Sequence, residues 1–151
     1  MSPWTAGALA AWTLGLAYGD LRYRRIPNLA LLVVAAPACM SMILCGQGLL
    51  GADYRQSLGG LALGGVPLLA GYRSGHVGAG DVKLAALQGF VLGADWMLRA
   101  LLVAGLVLGA MALAAWLGRR PPGRVLPAGV ALAVGFLCAL AGRLLGAGTV
   151  F

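Results

Sequence analysis

Asp20, Asp53, Asp81 and Asp95 are the only acidic side chains in this chain of 151 residues, which has no glutamate. Two of them stand where chemistry is favoured. Asp81 ends the glycine-rich break Gly78-Ala79-Gly80-Asp81, which separates two apolar segments and runs on into Val82-Lys83-Leu84. Asp20 closes the first apolar segment and leads into Leu21-Arg22-Tyr23-Arg24-Arg25-Ile26-Pro27-Asn28. An ionisable group at the edge of a bilayer or within it costs about 2.5 to 3.5 kcal/mol on insertion scales, so a carboxylate kept there calls for a function. Two such carboxylates suit acid–base catalysis. One, ionised, takes a proton from water, while the other, protonated, hydrogen-bonds the group under attack. Gly78 and Gly80 permit unusual backbone angles and close approach of another chain, which would leave Asp81 reachable at a helix start. The plainer reading of Asp81 is an N-cap.

The elements that must position these residues are apolar. The composition is 61% hydrophobic and 10% charged, with a mean hydropathy of +0.91, against roughly 45 to 50% apolar and 25% charged in soluble domains. Such a chain reads as an all-α, polytopic membrane helix bundle. Apolar runs at 4–19, 29–50, 57–72, 82–94, 97–117 and 126–146 give about six transmembrane helices, where a span needs about 20 residues. The run 82–94 covers only about 20 Å at ~1.5 Å per residue, so its flanks must extend it, or it must thin the bilayer or sit partly inside protein. The longest polar loop, Gly118 to Leu126, is short. Residues 1–151 are therefore expected to form a single integral-membrane domain with no soluble domain.

Charge sets the expected orientation. Arg22, Arg24, Arg25, Arg73, Lys83, Arg119, Arg120 and Arg124 fall in loops on one side, and Arg55, Arg99 and Arg143 on the other. Short loops rich in Lys and Arg stay cytoplasmic. Both termini are thus expected outside, and the loops bearing Asp20 and Asp81 inside. The first positive charges follow the first apolar run, the reverse of a secretory signal peptide, so residues 4–19 are expected to remain as a spanning helix. Asp53 and Asp95, beside Arg55 and Arg99 on the far side, read as solvated loop charges. The net charge of +7 comes from scattered loop residues and makes no nucleic-acid footprint.

Twenty-five glycines include the pairs Gly15/Gly19, Gly60/Gly64, Gly89/Gly93, Gly105/Gly109 and Gly142/Gly146, a spacing that lets helices approach closely in lipid. Packing within one bundle is the expected use, with a homodimer the alternative. Cys39, Cys45 and Cys138 form no CxxC and no Cys/His cluster, and the single His76 cannot complete a zinc site with them. They read as free, membrane-buried thiols. There is no His-Glu-x-x-His for a zinc protease. Ser74-Gly75-His76 makes a poor serine nucleophile, since the only His is too close in sequence to serve as its base. His76 reads as a loop residue or a pocket residue. Lys83 is either a lysine snorkelling from a helix end or a group that positions the two aspartates. No metal or cofactor is called for.

Asp20 with its basic run and Ile26-Pro27-Asn28, followed by Gly78-x-Gly80-Asp81-Val82-Lys83-Leu84, resembles the prepilin peptidase family of intramembrane aspartic proteases. Leu126-Pro127-Ala128-Gly129-Val130-Ala131-Leu132-Ala133 is similar to the family's Pro-Tyr-Gly stretch opening the last helix, with Ala128 in place of the usual Tyr. The resemblance covers nearly the whole chain. It implies Asp20 and Asp81 as the catalytic pair, with Gly78, Gly80, Lys83, Pro27, Asn28, Pro127 and Gly129 in support. It also implies a prepilin as partner, cut at the cytoplasmic face of the inner membrane after a Gly that ends a short basic leader. The paired CxxC segment of larger, N-methylating members has no counterpart here. The chain is closer to the short peptidase-only branch associated with Flp-type, tight-adherence pili.

Two other readings stay open. A related Gly-x-Gly-Asp protease acting on other membrane proteins would usually show a Tyr-Asp pair, and here Gly19 separates Tyr18 from Asp20. A small proton-coupled transporter or assembly factor would use its aspartates as relays, nearer mid-membrane. Within the aspartate pair, helix ends point to Asp81 as the ionised base and Asp20 as the acid. A helix start favours the anion by about 0.3 to 1 kcal/mol, and a helix end opposes it.

Overall fold

The computed structural model describes residues 3–23, 27–75, 77–118 and 128–146. Its six helices follow the six apolar runs: α1 (Pro3–Tyr23), α2 (Asn28–Cys45), α3 (Tyr54–Arg73), α4 (Ala79–Leu92), α5 (Ala94–Leu117) and α6 (Ala128–Leu144). There is no strand among the described residues. The boundaries have local causes. Pro27, extended at φ −68° and ψ 132°, introduces α2. That helix ends five residues before its apolar run does, because Gly46 takes φ 68°, a left-handed angle that glycine adopts without Cβ strain. Asp53 caps α3 by accepting a hydrogen bond from the Gln56 backbone N–H at 2.7 Å. Gly93 alone, at φ 85°, turns the chain from α4 into α5. The helix α1 continues past its apolar run to Tyr23, so Asp20 stands in its last turn, at the helix end as expected.

Two helices are long and apolar enough to cross a membrane, α2 with 18 residues and α5 with 24, and α6 is a shorter apolar helix. They turn most of that apolar surface outward: Ile43 is 79% and Leu106 75% exposed. Water would not support so large an apolar face, whereas lipid does.

Packing without a hydrophobic force between helices depends on close fit. In α3, a Cβ at Gly60 would collide with the Gly89 carbonyl of α4, and one at Gly64 with the Ala85 carbonyl. The helices therefore run antiparallel, backbone on backbone. Gly135 of α6 meets the Ala100 carbonyl of α5 in the same way. The glycine pairs divide on this test. Gly60/Gly64 and Gly89 pack inside the bundle, and Gly142 lies against Trp96. Gly15, Gly19, Gly105 and Gly109 have nothing within 4 Å of an added Cβ among the described residues, so those two pairs pack against no described helix. The core centres on Phe136, Leu84, Leu92 and Met97.

Candidate active site

The chain order brings the end of α1 and the starts of α2, α4 and α6 to one end of the bundle. Asp20 comes to this end on α1 and Asp81 on α4. The Asp20 carboxylate is near enough to act on the charge of Asp81. Gly129, in the first turn of α6, makes the seat for Asp20. A Cβ there would stand 2.6 Å from Asp20 Oδ2 and 2.9 Å from Cγ.

Gly78 is the N-cap of α4, and its backbone N–H hydrogen-bonds the Asp81 carboxylate, the returning half of a capping box. The N-cap reading of Asp81 is thereby corrected: Asp81 sits in the first turn, and the cap is Gly78. Nor does Gly78 need glycine's backbone freedom, since φ −73° and ψ 146° suit any residue. What glycine supplies is room. A Cβ at position 78 would lie 3.2 Å from Asp81 Oδ2. Gly80 is helical, in the same turn as Asp81.

Asp81 stands ahead of the apolar run 82–94, at its edge. Burial and the neighbouring Asp20 carboxylate both push its carboxyl above the usual carboxylate range, and the bond from Gly78 opposes them. The net effect raises the Asp81 carboxyl, the direction opposite to that of a helix start. Partial burial and a like charge outweigh the helix start.

Among the supporting residues, Lys83 Nζ donates to Asn28 Oδ1 at 3.1 Å, which joins two motif residues far apart in sequence and bridges α4 to α2. Pro27 sets the first turn of α2, where the Ala30 N–H bonds its carbonyl at 3.1 Å. Pro127, His76 and the basic residues Arg24, Arg25, Arg119, Arg120 and Arg124 lie outside the described residues. Cys39, Cys45 and Cys138 are free and exposed on the protein surface. Among the described residues no three His, Cys or Asp side chains form a set able to hold a metal ion.

Sequence reasoning missed three features. Trp12 Nε1 donates to the Ala30 carbonyl at 2.7 Å, tying α1 to α2. Gln88, two turns along α4 from Asp81, is fully buried, and its Nε2 finds no hydrogen-bond partner among the described residues. A buried glutamine in an apolar helix was the available signal. At the opposite end Arg143, expected to be a loop charge, reaches back from α6. It donates to the Leu92 carbonyl at 2.6 Å and the Leu50 carbonyl at 2.7 Å. Asp53 and Asp95 are exposed there, as expected of loop charges, but both are engaged: Asp53 caps α3, and Asp95 accepts from Gln56 Nε2 at 3.2 Å.

An all-helical bundle with lipid-suited faces brings two aspartates from separate helices to one end, near enough for one to act on the charge of the other. Residues 7–142 match the type IV leader peptidase family, and the chain belongs to it. No curated protein and no solved structure matches the chain.

Proposed function

We propose that the chain is the endopeptidase that removes the short basic leader of Flp-like type IV prepilins, with Asp20 and Asp81 as its catalytic pair. The observation that carries the proposal is that Asp20 on α1 lies near enough to act on the charge of Asp81 on α4, with the Asp20 carboxylate against Gly129 and the Asp81 carboxylate against Gly78. Two like charges at close range cannot both ionise readily, so near neutral pH the pair holds one proton. The ionised member takes a proton from water as its oxygen attacks the scissile carbonyl carbon. The protonated member hydrogen-bonds the carbonyl oxygen, and a proton then passes to the leaving amine as the peptide bond breaks. The pair shares its one proton, and its two apparent pKa values belong to the pair and not to either residue. A proton relay would favour carboxylates deep in the bundle, whereas both stand in terminal turns of their helices.

The reading assigns this chain, as one membrane domain, the peptidase step without N-methylation. It places all six helices across the inner membrane, both termini outside and the aspartates at the cytoplasmic face. The eight-to-three bias of Lys and Arg between the two sets of loops supports that orientation. The test is co-expression with a pilin precursor that carries a Gly before its hydrophobic run, followed by mapping of the product's N-terminus. Asp20→Asn and Asp81→Asn should each abolish cleavage while the protein still inserts, and Asp53→Asn and Asp95→Asn should leave it intact. Full cleavage by Asp81→Asn would reject the aspartic mechanism.

A further inference from the structure

A groove with a volume of about 340 Å³ opens between α2 and α4, lined by Asn28, Leu31, Leu32, Ala35, Lys83 and Leu87. We propose that this groove seats the hydrophobic helix of the substrate, so that the segment preceding that helix crosses Gly80 to reach Asp81. The proposal rests on the leader-peptidase reading and extends it to where the substrate docks.

The argument starts from how loosely α2 is held. Its main packing partner is α4, and two polar ties fasten its first turn: Trp12 Nε1 to the Ala30 carbonyl, and Lys83 Nζ to Asn28 Oδ1. Beyond those ties its flank lies open, with Leu29, Leu32 and Val33 all exposed. The gap to α4 is consequently lined by aliphatic side chains apart from Asn28 and Lys83 at its head. An apolar helix suits such a lining, and a polar ligand does not.

Helix geometry then gives the groove its direction. Gly80, Lys83 and Leu87 are spaced i, i+3 and i+7, one stripe along α4. Followed toward the start of α4, the stripe ends at Gly80, the neighbour of Asp81 in the first turn. Lys83 and Leu87 line the groove, whereas Asp81 lies about 200° from Lys83 around the helix at ~100° per residue. A helix in the groove therefore cannot itself touch the pair. A chain continuing from it can, by crossing the side-chain-free position at Gly80. Proteolysis requires that division, because a scissile bond must be extended to be attacked while the apolar helix next to it stays in lipid. The Lys83–Asn28 bond spans the head of the groove and fixes the spacing of α2 from α4 beside that crossing.

The test places a photo-crosslinking amino acid at Leu32, Leu87 or, as a lipid-facing control on α5, Leu106, in an Asp81→Asn background that keeps the precursor whole. Cleavage by the otherwise unmodified protein is assayed in parallel. Adducts with the precursor's hydrophobic helix are expected at 32 and 87 and not at 106. In active protein, Ala35→Trp should fill the groove and raise KM about tenfold, the loss of roughly one leucine-sized burial, with kcat unchanged, while Leu106→Trp changes neither. Cleavage with adducts no stronger at 32 and 87 than at 106, or an unchanged KM in a folded Ala35→Trp protein, would overturn the groove and leave the leader-peptidase reading standing. Absence of cleavage by the unmodified protein would overturn that reading and the groove with it.

Discussion

Adding one methyl group at position 129 should separate catalysis from folding. The new Cβ would stand 2.6 Å from Asp20 Oδ2, where ordinary contact begins at 3.4 Å, so the carboxylate must retreat by about 0.8 Å. It has little freedom to do so by rotation alone, because its Cγ and Cβ would lie at 2.9 and 3.2 Å from the same methyl. A displacement of about 1 Å in a catalytic group costs on the order of 100-fold in rate, or about 2.7 kcal/mol of barrier at ~1.36 kcal/mol per decade. The helix itself should gain, since alanine is favoured over glycine in a helix by up to about 1 kcal/mol. Gly129→Ala is thus expected to lower kcat for precursor cleavage about 100-fold, with KM little changed and thermal stability in detergent unchanged or raised. Gly105→Ala, with nothing within 4 Å of its added Cβ, is the control and should match the unsubstituted protein in all three. A Gly129→Ala protein with unchanged kcat would refute the seating of Asp20 against α6.

Three other outcomes are expected. Since burial and, after it, the Asp20 charge raise the Asp81 carboxyl, Asp20→Asn should move the Asp81 titration to lower pH in site-resolved infrared spectra, and the alkaline limb of the pH–activity profile should lie at higher pH than for an isolated carboxyl. A fixed Asp81 band in Asp20→Asn would reject the coupling. Arg143→Ala removes the charged donor shared by the Leu50 and Leu92 carbonyls and should cost about 1.5 to 3 kcal/mol of stability, measured by reversible denaturation in detergent, while activity per folded molecule persists. Gly64→Ala pushes a methyl against the Ala85 carbonyl and should destabilise by about 1 to 3 kcal/mol, read in the same assay.

Much of the scaffold was legible because apolar runs in a membrane chain have one use. Each of the six runs overlaps a helix in the structure, and the end of α2 was misjudged because of a single residue. Gly46 stops α2 with a left-handed angle that hydropathy does not encode. Asp20 falls in the last turn of α1, at the end of the helix as expected. Pairing of helices was less accessible. Five glycine pairs share one spacing, yet Gly60/Gly64 meets a neighbouring backbone while Gly105/Gly109 faces outward, and spacing alone does not say what lies opposite. Arg143 was read as a loop charge for a related reason, since its two carbonyl acceptors, Leu50 and Leu92, belong to distant segments.

The candidate site stood out in the sequence by its residues and not by their reasons. Asp20, Asp81 and the glycines around them stand out by type, and the natural explanation for Gly78 was backbone freedom. Its ordinary angles remove that explanation. At Gly78 and at Gly129 alike, the quantity glycine supplies is the volume a carboxylate occupies: a Cβ at the first would crowd Asp81 Oδ2, and one at the second would crowd Asp20 Oδ2. Each aspartate is thus held against a side-chain-free stretch of backbone, which brings two like charges together at an apolar edge. Burial at that edge and mutual repulsion then act together on the proton. They act on Asp81 against the helix-end field from which the sequence suggested an ionised Asp81.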